Sequence, residues 1–183
     1  MPLEVEKKLG RKLEFASIDA YDTVSLADIK EGLIPPSAMK LLNAYLSDPK
    51  QRDIEVLSAV QKDGIQDFLL CEDIKTKQSC RGILLDTFGD SVLGETSFFG
   101  SYAEGSNVPV QVSTTMTHGV EGVGLGTKRL LTINEYCKKR FGVGICSSSD
   151  PVSGAQRIWD DLVRNKLAER IRLPDGTKRY RLI

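Results

Sequence analysis

The sequence predicts a single-domain α/β fold, and three observations carry that prediction. Its 183 residues, 40% of them hydrophobic, are enough for one sizeable core and too few to make two comfortable. Segments patterned as strands and segments patterned as helices follow one another along the chain. Between Val108 and Phe141 a strand pattern, a glycine-rich turn and a helix pattern come in immediate succession.

Taken in order, Leu13, Phe15 and Ile18 lie in a short stretch readable as a first strand, and Val24, Leu26 and Ile29 give Asp22 to Lys30 a weak helical pattern. Pro35 and Pro36 break the chain. Ser37 is then a candidate N-cap for a helix with Leu41, Leu42, Tyr45 and Leu46 on one face, stopped at Pro49. Residues 54 to 61 and 65 to 74 flank Asp63-Gly64, a strong hairpin signal, with a helix as the rival reading of the first arm. A further strand is expected at Arg81 to Asp86. Thr87 to Asn107, rich in Gly, Ser and Phe and without a period, reads as a long loop, of the length that often serves function.

From Val108 the alternation Val108, Val110, Val112 runs to Met116 as a strand. Leu130, Ile133, Cys137 and Phe141 recur at helical spacing, with Gly142 as the stop. Phe141, Val143 and Ile145 lead into a short strand. Ser153 with Gln156 has the form of a capping box, ahead of a helix striped by Ala155, Ile158, Trp159, Leu162 and Val163. Pro174-Asp-Gly176 centres a terminal hairpin.

Composition narrows the function classes. Lys plus Arg and Asp plus Glu balance at 25 each, so the summed positive field that non-specific nucleic-acid binding needs is missing. The basic runs Lys138-Lys139-Arg140 and Lys178, Arg179, Arg181 read as solvated faces or complements to a helix C-terminus. Cys71, Cys80, Cys137 and Cys146 form no CxxC pair and read as buried thiols. With one histidine and no supporting cysteine spacing, no zinc site is expected. No apolar leader core or membrane-length apolar run is found, so the expected location is the cytoplasm or a particle assembled there.

The turn His118-Gly-Val-Glu-Gly-Val-Gly-Leu-Gly-Thr127 carries the chemistry. After a strand and before a helix, such a turn leaves backbone amides unpaired at the positive end of the helix dipole, with glycines that let an anion approach the backbone. A phosphate ester is the expected ligand. The dinucleotide fingerprint fails because Thr127 stands where its last glycine belongs. The Walker A loop fails because the order is Gly126-Thr127-Lys128.

Glu121-Gly-Val-Gly124-Leu-Gly126, followed by Thr127 and a Leu130-Leu131 helix, resembles motif A of the GNAT N-acetyltransferase superfamily, Q/R-x-x-G-x-G/A. The resemblance covers residues 108 to 166 in order and is only topological before them. It implies a mixed, mostly antiparallel sheet with helices on both faces, splayed where acetyl-CoA enters. It also implies cofactor contacts from Met116, Thr117, Gly122, Val123, Gly124, Leu125, Gly126 and Thr127, and from Ala155 and Trp159 near the thiol end, while Ser148, with Ser147 and Ser149, is expected to hydrogen-bond the pantetheine arm or to cap the next helix. Two departures stand out. Glu121 replaces the usual Gln or Arg beside the pyrophosphate. Trp159 occupies the position of the tyrosine that protonates the leaving thiolate, and an indole cannot release its proton at neutral pH.

An amine acceptor must be made neutral by a base. His118, at the end of the strand, is the natural candidate, against a surface turn histidine with no role. Glu95 and Glu104 in the expected long loop are the alternatives. Cys146 as a nucleophile lacks a histidine or acidic partner. The expected function is acetyl transfer from acetyl-CoA to an amine on a small molecule or protein. The rival, from another class, is an inactive GNAT-like binding or structural protein such as a phage particle component. A modifier of nucleic-acid bases is disfavoured by the neutral charge.

Overall fold

The computed structural model describes residues 17–32, 34–46, 53–61, 64–102, 110–119, 122 and 124–183. Within them, nine strands form one open sheet in the order β1-β2-β3-β4-β5-β6-β7-β9-β8. The first part of the chain supplies β1 (Asp22–Thr23), α1 (Leu26–Lys30), α2 (Pro36–Leu46), β2 (Asp53–Val60), β3 (Gln66–Ile74), β4 (Ser79–Phe88) and β5 (Ser91–Ser101). The second supplies β6 (Val110–Thr117), α3 (Leu125–Phe141), β7 (Ile145–Cys146), α4 (Ser153–Arg164), β8 (Ala168–Arg172) and β9 (Lys178–Leu182). Every neighbouring pair is antiparallel except β6 and β7, which run parallel. The class is therefore α+β with a mostly antiparallel sheet. No helix among the described residues is long and apolar enough to cross a membrane.

Helices cover both faces where the strands are most apolar, and that explains the unbroken run Phe68-Leu69-Leu70-Cys71 on β3. Phe68 and Leu70 pack with Ile83 and Leu85 under Ile29, Ile34, Ala38 and Leu42 of the α1–α2 layer. Leu69 and Cys71 turn the other way, with Leu84, Phe98 and Val112, under Leu130, Ile133, Trp159 and Leu162 of α3 and α4. All four cysteines are buried and free, and burial pushes the Cys137 thiol well above its usual range.

The hairpin around Gly64 forms, with Val60 opposite Gln66, which settles the first arm as strand. Gly142 ends α3 in the left-handed region at φ 73°, its N–H bonded to the Lys138 carbonyl. The basic run before it complements the helix C-terminus, and Lys139 and Arg140 pair with Asp19 and Asp73.

Several expectations are corrected. The long loop from Thr87 is instead mostly β5, paired with β4 and β6. Ile18 belongs to a short 3-10 turn rather than a strand, while Leu13 and Phe15 lie outside the described residues. Ser37 sits inside α2, because Pro36 begins the helix, and its hydroxyl donates to the Asp90 carbonyl. Ser153 does not cap α4: Val152 occupies the N-cap position, and no side chain caps that end.

Candidate functional site

The sheet parts company with itself beside β6. Only Val110 and Gln111 pair with β7, at Ile145 and Cys146. Beyond Gln111, β6 continues to Thr117 with no hydrogen-bonded strand on that side among the described residues. Past Cys146 the chain turns to β9, where the Ser147 N–H donates to the Tyr180 carbonyl at 2.9 Å. A cleft of ≈ 510 Å³ lies beside this end of β6, lined by Thr115 and Thr117 of β6, the glycines of the turn, and Gly154, Ala155, Arg157, Ile158 and Asp161 of α4, with no residue of β7 in its wall.

Two glycines of the turn take a left-handed backbone ahead of α3. Gly122 and Gly124 hold φ of +83° and +91°, and a Cβ on either would meet nothing within 4 Å. They are glycines for their backbone conformation, not for packing. Gly124 is the N-cap of α3, and no side chain caps that end, so the first amides of the helix have no intrahelical acceptor. Gly126 has the packing role: a Cβ there would lie 2.7 Å from Ile158 Cδ1, so its absence lets α3 and α4 close on each other. Arg157, exposed at the rim, has no ion-pair partner among the described residues.

Beneath the turn lies a group of charges that the sequence reading did not anticipate. Asp67, Asp86 and Arg129 are 0% exposed and Lys128 is 2% exposed. Lys128 Nζ pairs with Asp67 and, at 3.1 Å, with Asp86, while Arg129 pairs with Asp86. Tyr21 Oη and Gln61 Nε2 donate to Asp67 at 2.6 and 2.8 Å. The guanidinium of Arg129 also donates to Thr96 Oγ1 at 3.0 Å, to the Met116 carbonyl at 2.8 Å and to Thr117 Oγ1 at 2.9 Å. Two cations and two carboxylates thus join β3, β4, β5 and the end of β6 to the first turn of α3. Burial lifts the Asp67 carboxyl to about 6 against the opposing pull of Lys128, and burial with the adjacent Asp67 charge also raises the Tyr21 phenol. Cations in a helix first turn oppose the dipole; with Asp67 and Asp86 interrupting apolar strands, that was the available signal.

The structure gathers some of the expected site residues and separates others. Thr117, Gly122, Gly124, Leu125, Gly126, Thr127 and Ala155 line the cleft together. Met116 faces away from it, half exposed, and contributes its carbonyl to Arg129. Ser148 lies outside the lining, as does Trp159, which is buried and stacked on Tyr180 at 5.9 Å between centroids. His118 is exposed, its backbone N–H donating to the Leu93 carbonyl, and its side chain is not in the lining. Glu95 stands on β5 opposite Met116 rather than in a loop. Glu104 and Val123 lie outside the described residues, as does Glu121. The described residues hold no cluster of metal-ligating side chains. Set against protein-family models and against curated proteins, the chain matches none.

Proposed function

We propose that the cleft binds acyl-coenzyme A in the GNAT manner, and that the protein transfers an acetyl group from acetyl-CoA to an amine. The observation that carries this reading is the conjunction of a parallel strand pair that ends after two residues with an uncapped, glycine-turned helix N-terminus that shares a cleft with the unpaired end of β6. The amides of Gly124 to Thr127 receive the pyrophosphate. The unpaired edge of β6 offers backbone groups to the amides of the pantetheine arm, as a sheet edge does to an added strand. Arg157 supplies the cation at the rim.

A second reading is favoured by one observation: neither His118, Glu95 nor Trp159 lines the cleft. In that reading the domain binds the cofactor, or a similar phosphate ester, without turnover, as a binding or structural protein such as a phage component.

Thermal unfolding with and without acetyl-CoA tests both. Ligand at 100 times its dissociation constant adds about 2.7 kcal/mol of stability. Gly124→Asp places a side chain and a negative charge where a phosphate must sit and should abolish the rise. A missing shift in the wild type, or an equal one in the variant, overturns the cradle. Release of free thiol in the presence of an amine panel then separates transferase from binder.

A further inference from the structure

A second cleft, of ≈ 690 Å³, lies on the other side of the first turn of α4, and no residue lines both. Its walls are Ser149 to Pro151, Gln156 and the β8–β9 hairpin. That volume is in the range of small-molecule sites.

The charges around it are unbalanced in a specific way. Arg170 and Arg181 of the hairpin have carboxylate partners, Asp160 at 3.0 Å and Glu169 respectively. Arg172 and Lys178 stand directly opposite each other in the β8–β9 register, both exposed and both lining the cleft. Neither has an ion-pair partner among the described residues. Like charges facing across a ladder destabilise a hairpin, so the pair is costly unless an anion lies between them. Arg179, also in the lining, donates to Gln111 and, at 3.3 Å, to the Ser147 carbonyl, both neutral acceptors. The lining holds a fourth cation, Arg170, which Asp160 outside the lining offsets, and one carboxylate, Asp150, which leaves an excess of two positive charges.

The apolar wall is preformed. Tyr180 is stacked on Trp159, carries the Arg170 guanidinium 5.6 Å from its ring centroid, and donates its hydroxyl to Asp160 at 2.8 Å. Its ring is therefore fixed before any ligand arrives. A cleft with a fixed aromatic wall, neutral donors at Ser149 and Gln156, and a net charge of two suits a small organic body bearing one dianionic group.

We propose that this cleft is a second ligand site, for a small phosphate monoester whose dianionic phosphate sits between Arg172 and Lys178 and whose organic part lies against the edge of the Tyr180 ring. The geometry of an arginine fork favours phosphate oxygens. The site is independent of acyl-CoA binding in the first cleft.

The test is amide-resolved NMR titration of the full chain with phenyl phosphate and with inorganic phosphate, at constant ionic strength. Saturable shifts at Gln156, Arg172, Lys178 and Tyr180 are expected, tighter for phenyl phosphate than for inorganic phosphate. Arg172→Glu/Lys178→Glu, which touches no core position, should weaken binding about 100-fold, since each lost hydrogen bond to a charged group accounts for roughly a tenfold change or more. Arg164→Glu, a single reversal away from the cleft, should leave it unchanged. Equal loss in both variants, shifts matched by chloride, or no saturation would overturn the proposal. The acetyl-CoA melting shift should be identical in wild type and the double variant, whichever way the reading of the first cleft falls.

Discussion

Replacing Arg129 with methionine probes how strongly the buried charges support the glycine turn. The guanidinium is fully buried and donates to Asp86, Thr96, the Met116 carbonyl and Thr117. Methionine fills much of the same space and supplies none of those bonds. Lys128, at 3.1 Å, remains beside Asp86, but two buried carboxylates then share one cation. Removing one partner of a buried pair costs about 3–5 kcal/mol, a large part of the roughly 5–15 kcal/mol that holds a domain together. With a urea dependence near 2 kcal/mol per molar, the unfolding midpoint should fall by about 1.5–2.5 M. Asp86→Asn/Arg129→Met removes the surplus charge while keeping Asp67 with Lys128, so it should be less damaging than the single arginine change. Urea unfolding followed by circular dichroism reads both. A midpoint shift below about 0.5 M for Arg129→Met, or a double variant as destabilised as the sum of the singles, would refute the account of a charge-balanced cluster.

Asp67 gives a pH signature with a definite sign. Its folded carboxyl is raised to about 6, so between roughly pH 4 and 6 the native state holds a proton that the unfolded chain has released. The stability this group contributes therefore falls as pH rises through that window, and Asp67→Asn should flatten the slope measured by urea titration at several pH values. Gly82→Ala should destabilise by about 1–3 kcal/mol through overpacking, because its Cβ would lie 2.3 Å from Phe98 Cζ and 2.4 Å from the Leu70 carbonyl oxygen. An unchanged melting temperature would show that β3, β4 and Phe98 can move apart at no cost.

How much of this was legible in the sequence depended on whether the buried side chains were apolar. Leu130, Ile133 and Cys137 face the sheet from α3, and their spacing announced the helix. Asp63-Gly64 announced its hairpin. β5 stayed hidden because the positions that meet the arginine are small or polar. A Cβ on Gly94 would collide with the Arg129 guanidinium, and Thr96 accepts a hydrogen bond from it. A strand shaped around a buried arginine has no hydrophobic alternation to read. The glycines before α3 were visible as a motif, and the gap beside β6 followed only from its short pairing with β7. Neither Lys128 nor Arg129 declares its burial locally, since their partners stand 61 and 43 residues away.

The two-residue strand β7 has a mechanical consequence. Among the described residues it is the one strand that joins the six strands on its β6 side to the β8–β9 hairpin in the sheet, and its ladder with β9 is the single pair Cys146 opposite Arg181. Its entry is held from α3, where Asn134 Oδ1 accepts the Ile145 N–H at 3.0 Å. Cooperative opening of a structure follows such thin joints. Amide hydrogens of Ile145, Ser147 and Tyr180 should therefore exchange together and sooner than those in the middle of β3 and β4.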